Sequence, residues 1–269
     1  MKTGSHSPSA PHERYPLDLA LTSYSYAERV NPAVQALFAK HVASRTSAPR
    51  VLDVGCGCGV NAREFKRATP GAHIVGIEPN PRAAELAATT CDEVFQGGIE
   101  DWIKKPAAAP FDAVILSDVL EHIPDPVAFL RALSEGDARR DAVWIISVPN
   151  YGVWYNRVRT LLGLQHYAWS GLWDRTHVRF FTRSSIRELL TYCGFEVLED
   201  SCSPSLVQSA APLLRRGFER DVHQGEHLAL ADSKAYALYQ KMVEPVESLV
   251  CRTWPSLLGF QTVHAVRLR

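Results

Sequence analysis

Apolar positions along the chain fall into two kinds of pattern. Between Asn31 and Val42, residues Val34, Leu37, Phe38 and Val42 recur at helical spacing, with Asn31 as an N-cap and Pro32 as first helical residue. Arg50-Val51-Leu52-Asp53-Val54 is instead a short buried strand, running into Gly55-Cys56-Gly57-Cys58-Gly59 and then a helix from Val60 to Ala68. After the Pro70-Gly71 turn the pattern predicts a strand over His73–Ile77, a helix over Arg82–Thr89 and a strand over Glu93–Gln96. Further strands are predicted over Phe111–Leu116 and Val143–Val148, with a helix over Pro126–Leu133 between them. Ser185–Tyr192 reads as an amphipathic helix with Gly194 just past its end, followed by a strand over Phe195–Leu198.

Strands and helices alternate, and most strands are continuous apolar runs. That combination implies a parallel sheet covered by helices on both faces. Thr262–Leu268 roughly alternates polar and apolar residues, with one slip at Ala265-Val266, and is expected to be a half-exposed strand. The organisation expected is a flexible start and candidate lid over 1–30, a core over 31–202, a helical insertion over 203–259 and a returning strand over 260–269. Leu228–Val250 is the clearest helical stretch of the insertion.

Composition changes this picture little. The 269 residues carry 29 basic and 29 acidic side chains and are 46% hydrophobic, as expected of a globular protein. The absence of a basic stripe argues against a nucleic-acid partner. No apolar run has the length of a membrane span, and Met1–His12 lacks the apolar core of a signal peptide. The six cysteines form no CxxC pair, so a reduced, cytoplasmic protein is expected.

The chemistry is concentrated in a few strings. A glycine-rich turn after the first strand lets a ligand approach the backbone and the helix N-terminus behind it. The spacing here is G-x-G-x-G, and Val60 stands where the dinucleotide fingerprint would need a third glycine. Glu78 ends the second strand, where an acid accepts hydrogen bonds from ribose hydroxyls. Taken singly, Asp53 reads as a capping acid, Glu78 as a solvated carboxylate, and Cys56 and Cys58 as small fillers of a tight turn.

Val51–Gly59, Glu78, and Phe111-Asp112-Ala113-Val114 followed by Asp118–Pro126 occur in order and closely resemble the motifs of class I S-adenosylmethionine-dependent methyltransferases. The resemblance implies a Rossmann-like, seven-stranded, mostly parallel sheet with its last strand antiparallel. It also implies roles. Gly55, Cys56 and Gly57 pass the methionine part of the cofactor, Asp53 holds its amino group, and Glu78 grips the ribose with Pro79 and Asn80 on the same edge. Ser117 joins this set. Gly98 stands where the family often has Asp, which leaves adenine to the Ile99 backbone N–H and to Glu100.

Trp173–Thr182 together with Ser147-Val148-Pro149-Asn150 resembles bacterial methyltransferases of polysaccharide and secondary-metabolite clusters, similar to ubiquinone-pathway O-methyltransferases. The likeness runs from Arg14 to Leu198, and Arg140-Asp141-Ala142 departs from the family's Pro-Gly-Gly turn. The expected acceptor is a small molecule, with a sugar or secondary-metabolite hydroxyl first and N- or C-methylation as alternatives. Removing a hydroxyl proton needs a base or a metal. Asp118, His122 and His177 are the candidate catalytic residues. Asp118, Glu121, His122 and His177 would form the metal set, because some relatives hold Mg²⁺ with an E-x-x-E-H string and a distant His. Glu121 and His122 also occur in metal-free relatives, and His177 reads equally as a core histidine on a backbone carbonyl. The aromatics Tyr151, Trp154, Tyr155, Tyr167, Trp169 and Trp173 suit a sugar or ring acceptor, or else a packed subdomain or homodimer face. A nicotinamide-dependent oxidoreductase and an idle cofactor-binding module are the competing readings. Val60 disfavours the first and the intact glycine motif disfavours the second.

Overall fold

The computed structural model describes residues 30–104, 109–136, 138–168, 171–204, 242 and 244–269. The elements in order are α1 (Pro32–Phe38, prolonged by a π turn Ala39–Ala43), β1 (Arg50–Val54), α2 (Val60–Ala68), β2 (His73–Glu78), α3 (Pro81–Ala87), β3 (Glu93–Gln96), α4 (Ile99–Trp102) and β4 (Phe111–Ser117). A 3₁₀ turn (Leu120–His122), α5 (Pro126–Gly136), β5 (Ala138–Pro149), α6 (Trp154–Leu161), α7 (Arg183–Tyr192), β6 (Phe195–Pro204), α8 (Glu244–Thr253), α9 (Pro255–Leu258) and β7 (Gly259–Leu268) follow.

The strands form one seven-stranded sheet in the order β3-β2-β1-β4-β5-β7-β6. The pairs from β3 through to β5 are parallel, and β7 runs antiparallel to both β5 and β6. The Rossmann-like, mostly parallel fold expected from the sequence is therefore present. Alternate residues of each buried strand face opposite helix layers. Val51, Ile115 and Ile145 pack with Val34, Phe38 and Phe65 of α1 and α2, whereas Leu52, Leu116 and Trp144 pack with Leu130 of α5 and Ile186 and Leu190 of α7. Burying both faces is why these strands read as unbroken apolar runs. Each fully buried aliphatic or aromatic side chain contributes about 1.5–3 kcal/mol.

Local signals set the element ends. Asn31 Oδ1 accepts from Ala33 N at 3.0 Å, with Pro32 at the first helical position. Thr182 caps α7 in a reciprocal capping box with Ser185. Gly194 takes φ +88° beyond the end of α7.

Two expectations are corrected. β7 is not half-exposed, because Thr262–Val266 are all buried between β5 and β6. Its polar residues are paired internally, His264 Nε2 with Thr262 Oγ1 at 2.8 Å and His264 Nδ1 with Asp200 Oδ1 at 2.5 Å. β6 also runs past Leu198 to Pro204, and so across the expected core boundary. Residues 1–29 of the expected flexible start over 1–30, and most of the insertion, including residues 228–241, lie outside the described residues. The described end of the insertion, α8 and α9, packs on β6 and β7, and Ser256 O and Gly259 O accept from Asn150 Nδ2 at 3.1 and 2.9 Å. No helix among the described residues is long and apolar enough to cross a membrane.

Candidate active site

The turn after β1 is shaped by left-handed backbone. Gly55, Gly57 and Gly59 have φ of +68°, +55° and +78°, a region that side chains with a Cβ enter only at a cost. Two adjacent amides are anchored on β2, since Gly55 N and Cys56 N both donate to Ile77 O, at 2.8 and 3.1 Å. Gly57 N donates to Glu78 Oε2 at 2.9 Å, and Asn80 N donates to Glu78 Oε1 at 2.8 Å. The buried Glu78 carboxylate therefore ties the two loops together. Asn80 spends its side-chain oxygen capping α3, where it accepts from Ala83 N at 3.1 Å. Pro79 beside it is exposed.

Asp53 lies next to this carboxylate, only 1% exposed, and its Oδ2 has no hydrogen-bond partner among the described residues. Burial, and then the Glu78 charge, push its pKa up to about 7. Two buried carboxylates side by side on a glycine turn fit a ligand that carries positive charge and hydroxyl donors. S-adenosylmethionine has a sulfonium, an ammonium and a ribose diol, so the residues present fit this cofactor. Just past β3, in the first turn of α4, Glu100 folds its carboxylate back over Gly98, and a Cβ placed on Gly98 would lie 2.7 Å from Glu100 Oε2. The Glu100 carboxylate thus fills the space a side chain at position 98 would take. Ile99 beside it is buried at the start of α4.

The acceptor side is built at the carboxyl end of β4. Ser117 Oγ and Ser147 Oγ lie 3.2 Å apart across the β4–β5 pair. Asp118 has φ +58°, the one positive value outside glycine among the described residues. Its carboxylate accepts from Ser147 Oγ at 3.3 Å and from Gln261 Nε2 at 2.5 Å. Burial raises the Asp118 pKa, opposed by these two hydrogen bonds.

Glu121, His122 and His177 converge, with one donor atom from each lying within 4.8 Å of the others. Neither oxygen of the buried Glu121 side chain has a hydrogen-bond partner among the described residues. Burial first, then the Asp118 and Asp174 charges, hold its carboxyl well above the usual range. His122 Nδ1 lies 3.2 Å from Thr176 O, and His177 Nδ1 lies 3.1 Å from Leu172 O. A carbonyl accepts, so both rings carry their proton on Nδ1 and present Nε2 as the basic nitrogen. Asp118 does not pair with His122, because its carboxylate is taken by Ser147 and Gln261. Burial and then His177 instead lower the His122 pKa to about 4. Burial lowers His177 as well.

The string Trp173–Thr182 works as a strap. Asp174 Oδ1 accepts from Thr176 N at 2.9 Å and Thr176 Oγ1 at 2.7 Å. Val178 N and Arg179 N donate to Glu121 O at 2.8 and 3.0 Å, and Phe181 bridges to Asn150. These bonds lay His177 against the Glu121-His122 turn. Val119, just before that turn, would lie 3.0 Å from a Cβ on Gly55, so the glycine turn and the imidazole pair adjoin. Tyr151, Trp173 and Phe180 pack with ring centroids 5.1–5.4 Å apart, and Tyr167 adds a fourth ring at 6.1 Å from Trp173. Trp154 and Tyr155 contact each other, with ring centroids 6.1 Å apart, and Trp169 lies outside the described residues. Sequence reasoning missed Gln261 as the partner of Asp118, since 143 positions separate them.

A family model described as a methyltransferase domain matches residues 25–200. The chain belongs to this methyltransferase family. The methyltransferase is similar to the ubiquinone biosynthesis O-methyltransferase of Xylella fastidiosa (strain 9a5c), at 38% identity over 93 residues, covering 32% of this chain and 36% of the relative. The corresponding enzyme of Maricaulis maris (strain MCS10) is 31% identical over 86 residues, covering 30% and 33%. The match thus spans about a third of these relatives' length. In structure it is similar to a SAM dependent methyltransferase from Archaeoglobus fulgidus, with TM-score 0.54 and 17% identity over 89% of this chain and 95% of the other. It is also similar to the plantazolicin methyltransferase solved with S-adenosylhomocysteine, with TM-score 0.52 and 15% identity over 88% and 84% of the two chains. At these identities the structural likeness establishes the fold.

Proposed function

We propose that this methyltransferase methylates a hydroxyl of a small molecule, a sugar or a secondary metabolite, as an O-methyltransferase. The observation that carries the reading is the His122–His177 pair, with both Nδ1 protons on backbone carbonyls, set beside the glycine turn. Bound S-adenosylmethionine supplies an electrophilic methyl that carries its own leaving group. The chain supplies proximity, alignment and exclusion of water. Asp53 takes the cofactor's ammonium, Glu78 its ribose hydroxyls, and Glu100 the adenine amino group. Cys56, Pro79, Ile99 and Ser117 line the same site. The aromatic group around Trp173 forms a wall for the acceptor. An imidazole Nε2 accepts the hydroxyl proton as oxygen attacks the methyl.

A second reading is favoured by the two unpartnered oxygens of Glu121. In it Glu121, His122 and His177 hold a divalent cation that would orient the acceptor oxygen and lower its pKa. Two imidazoles and one carboxylate suit Mn²⁺, Fe²⁺, Co²⁺ or Zn²⁺ better than Mg²⁺. Asp118, engaged by Gln261 and Ser147, stands outside this donor set.

The test is methyl transfer from labelled S-adenosylmethionine to panels of hydroxylated, amine and carbon acceptors, with and without a chelator. Methyl ethers as products support the proposal. Products methylated only on nitrogen or carbon overturn it. Chelator-sensitive turnover restored by Mn²⁺ or Zn²⁺ selects the cation reading, and insensitive turnover selects the base.

A further inference from the structure

A cleft of about 570 Å³ is lined by Arg157, Thr182, Arg183, Ser184, Arg187 and Ser256. Its walls come from α6, the first turn of α7 and α9. Among the described residues, three guanidinium groups and three hydroxyls form the lining, and no carboxylate does. Arg157 Nε donates to Gly152 O at 2.6 Å, which fixes its guanidinium. Behind the cleft, Asp200 on β6 accepts from Arg183 Nη2 at 2.9 Å and from Arg187 Nη1. The other Asp200 oxygen is taken by His264 Nδ1. His264 is neutral at physiological pH, because burial, followed by the Arg187 and Arg183 charges, holds its pKa at about 3.

Among the described residues, three positive charges therefore line the cleft, and Asp200, the acid that pairs with two of them, does not line it. Arg183 Nε is buried with no hydrogen-bond partner among the described residues, a costly state for a donor. The ten-residue helix α7 adds the positive end of its dipole, with its cap amides already satisfied by the Thr182–Ser185 box. Planar guanidinium forks with hydroxyls at a helix N-terminus are the donor set that phosphate oxygens take.

The cleft opens at the same end of the sheet as the imidazole pair. Asn150, at the carboxyl end of β5, bridges to Phe181 and donates to Ser256 O at 3.1 Å. His177 and Arg183 are joined by so short a segment that their Cα atoms lie at most about 22 Å apart, at ~3.6 Å per extended residue. One extended small molecule can reach both. We propose that this cleft is a phosphate subsite, which takes the phosphate or diphosphate of a phosphorylated acceptor of the nucleoside diphosphate sugar type. The proposal rests on the small-molecule acceptor reading above.

The test separates the two. Inorganic pyrophosphate is titrated by calorimetry into the full chain, alone and with S-adenosylhomocysteine. The same titration follows for Arg157→Gln and for Ser184→Glu, which puts a carboxylate in the cleft at a helix position where an acid is favourable. Pyrophosphate binding that weakens at least tenfold in both variants, with S-adenosylhomocysteine affinity unchanged, supports the subsite. No binding to the wild type, or binding to the variants as tight as to the wild type, overturns it even if methyl transfer is real. A second arm compares nucleoside diphosphate sugars with the free sugars as acceptors. A KM at least tenfold lower for the phosphorylated form, lost in Ser184→Glu, assigns the phosphate to the acceptor. Equal KM values mean that the cleft binds a free anion, and overturn the acceptor assignment.

Discussion

His122 and His177 meet edge to face, with ring centroids 4.9 Å apart and planes at 73°. Each is held through Nδ1 by a backbone carbonyl, Thr176 O within the strap or Leu172 O just before it, so one short stretch of chain orients both rings. Burial, working against those hydrogen bonds, keeps both imidazoles neutral at neutral pH, the form that accepts a proton or ligates a cation.

Replacing His177 by Ala should cut turnover about 10²–10⁴-fold, the usual contribution of a positioned acid or base. Affinity for S-adenosylhomocysteine should stay near that of the wild type. Steady-state rates and calorimetry check both. Full activity in a His122→Ala/His177→Ala double variant would mean that the acceptor is already nucleophilic and that positioning alone drives transfer.

The raised pKa of Asp53, about 7, gives affinity a pH dependence with a defined sign. The unfolded chain ionises this carboxyl near 4 and the folded chain near 7. Its contribution to apo stability therefore falls as pH rises between those values and is constant above them. The ammonium that S-adenosylmethionine and S-adenosylhomocysteine share is held by the ionised form. S-adenosylhomocysteine affinity should rise about tenfold from pH 6 to pH 8 and flatten above, following the ionised fraction. In Asp53→Asn the slope should vanish. A slope that persists in this variant would place the titrating group elsewhere.

Glu121→Gln keeps the shape of a buried side chain while removing a carboxyl whose oxygens have no partner among the described residues. At pH 8 the variant should melt at or above the wild-type temperature. About 1 kcal/mol corresponds to roughly 2–4 °C for a chain of this size. If a cation binds, Mn²⁺ or Zn²⁺ should raise the melting temperature of the wild type and not of the variant. A wild type that does not respond removes the cation reading.

Gly59 sits at φ +78°, where an added Cβ would lie 2.1 Å from Thr90 Oγ1 and 3.1 Å from Ala87 Cα. Gly59→Ala should destabilise the protein by about 1–3 kcal/mol through backbone strain alone, with further loss from the collision. Thermal melts measure this. An unchanged melting temperature would contradict the packing of α2 against α3.

The central strands were legible because burial on both faces leaves an apolar run, α1 and α7 because their caps and spacing agree, and α2 because it follows the glycine turn. β7 was misread because its polar residues Thr262 and His264 find partners in each other and in Asp200, and a pairing across 64 positions leaves no local trace. The same holds at the site. Asp53, Glu78 and the glycines lie in one ordered string, so their convergence was readable. The fixing of Asp118 by Gln261 and the gathering of Arg157, Arg183 and Arg187 depend on chain segments that meet only in three dimensions. The string Trp173–Thr182 was recognised as specific, but its work as a strap became clear only from the bonds it makes to Glu121 O.

The central claim is that the carboxylates and glycine turn after β1 hold S-adenosylmethionine. Calorimetry of S-adenosylhomocysteine against the wild type and Glu78→Ala tests it most directly. The account predicts binding to the wild type and a loss of about 1.5–3 kcal/mol, more than tenfold, for each charge-assisted hydrogen bond to the ribose that the variant removes. Unchanged affinity in Glu78→Ala, or tight NADH binding with none for S-adenosylhomocysteine, would contradict it.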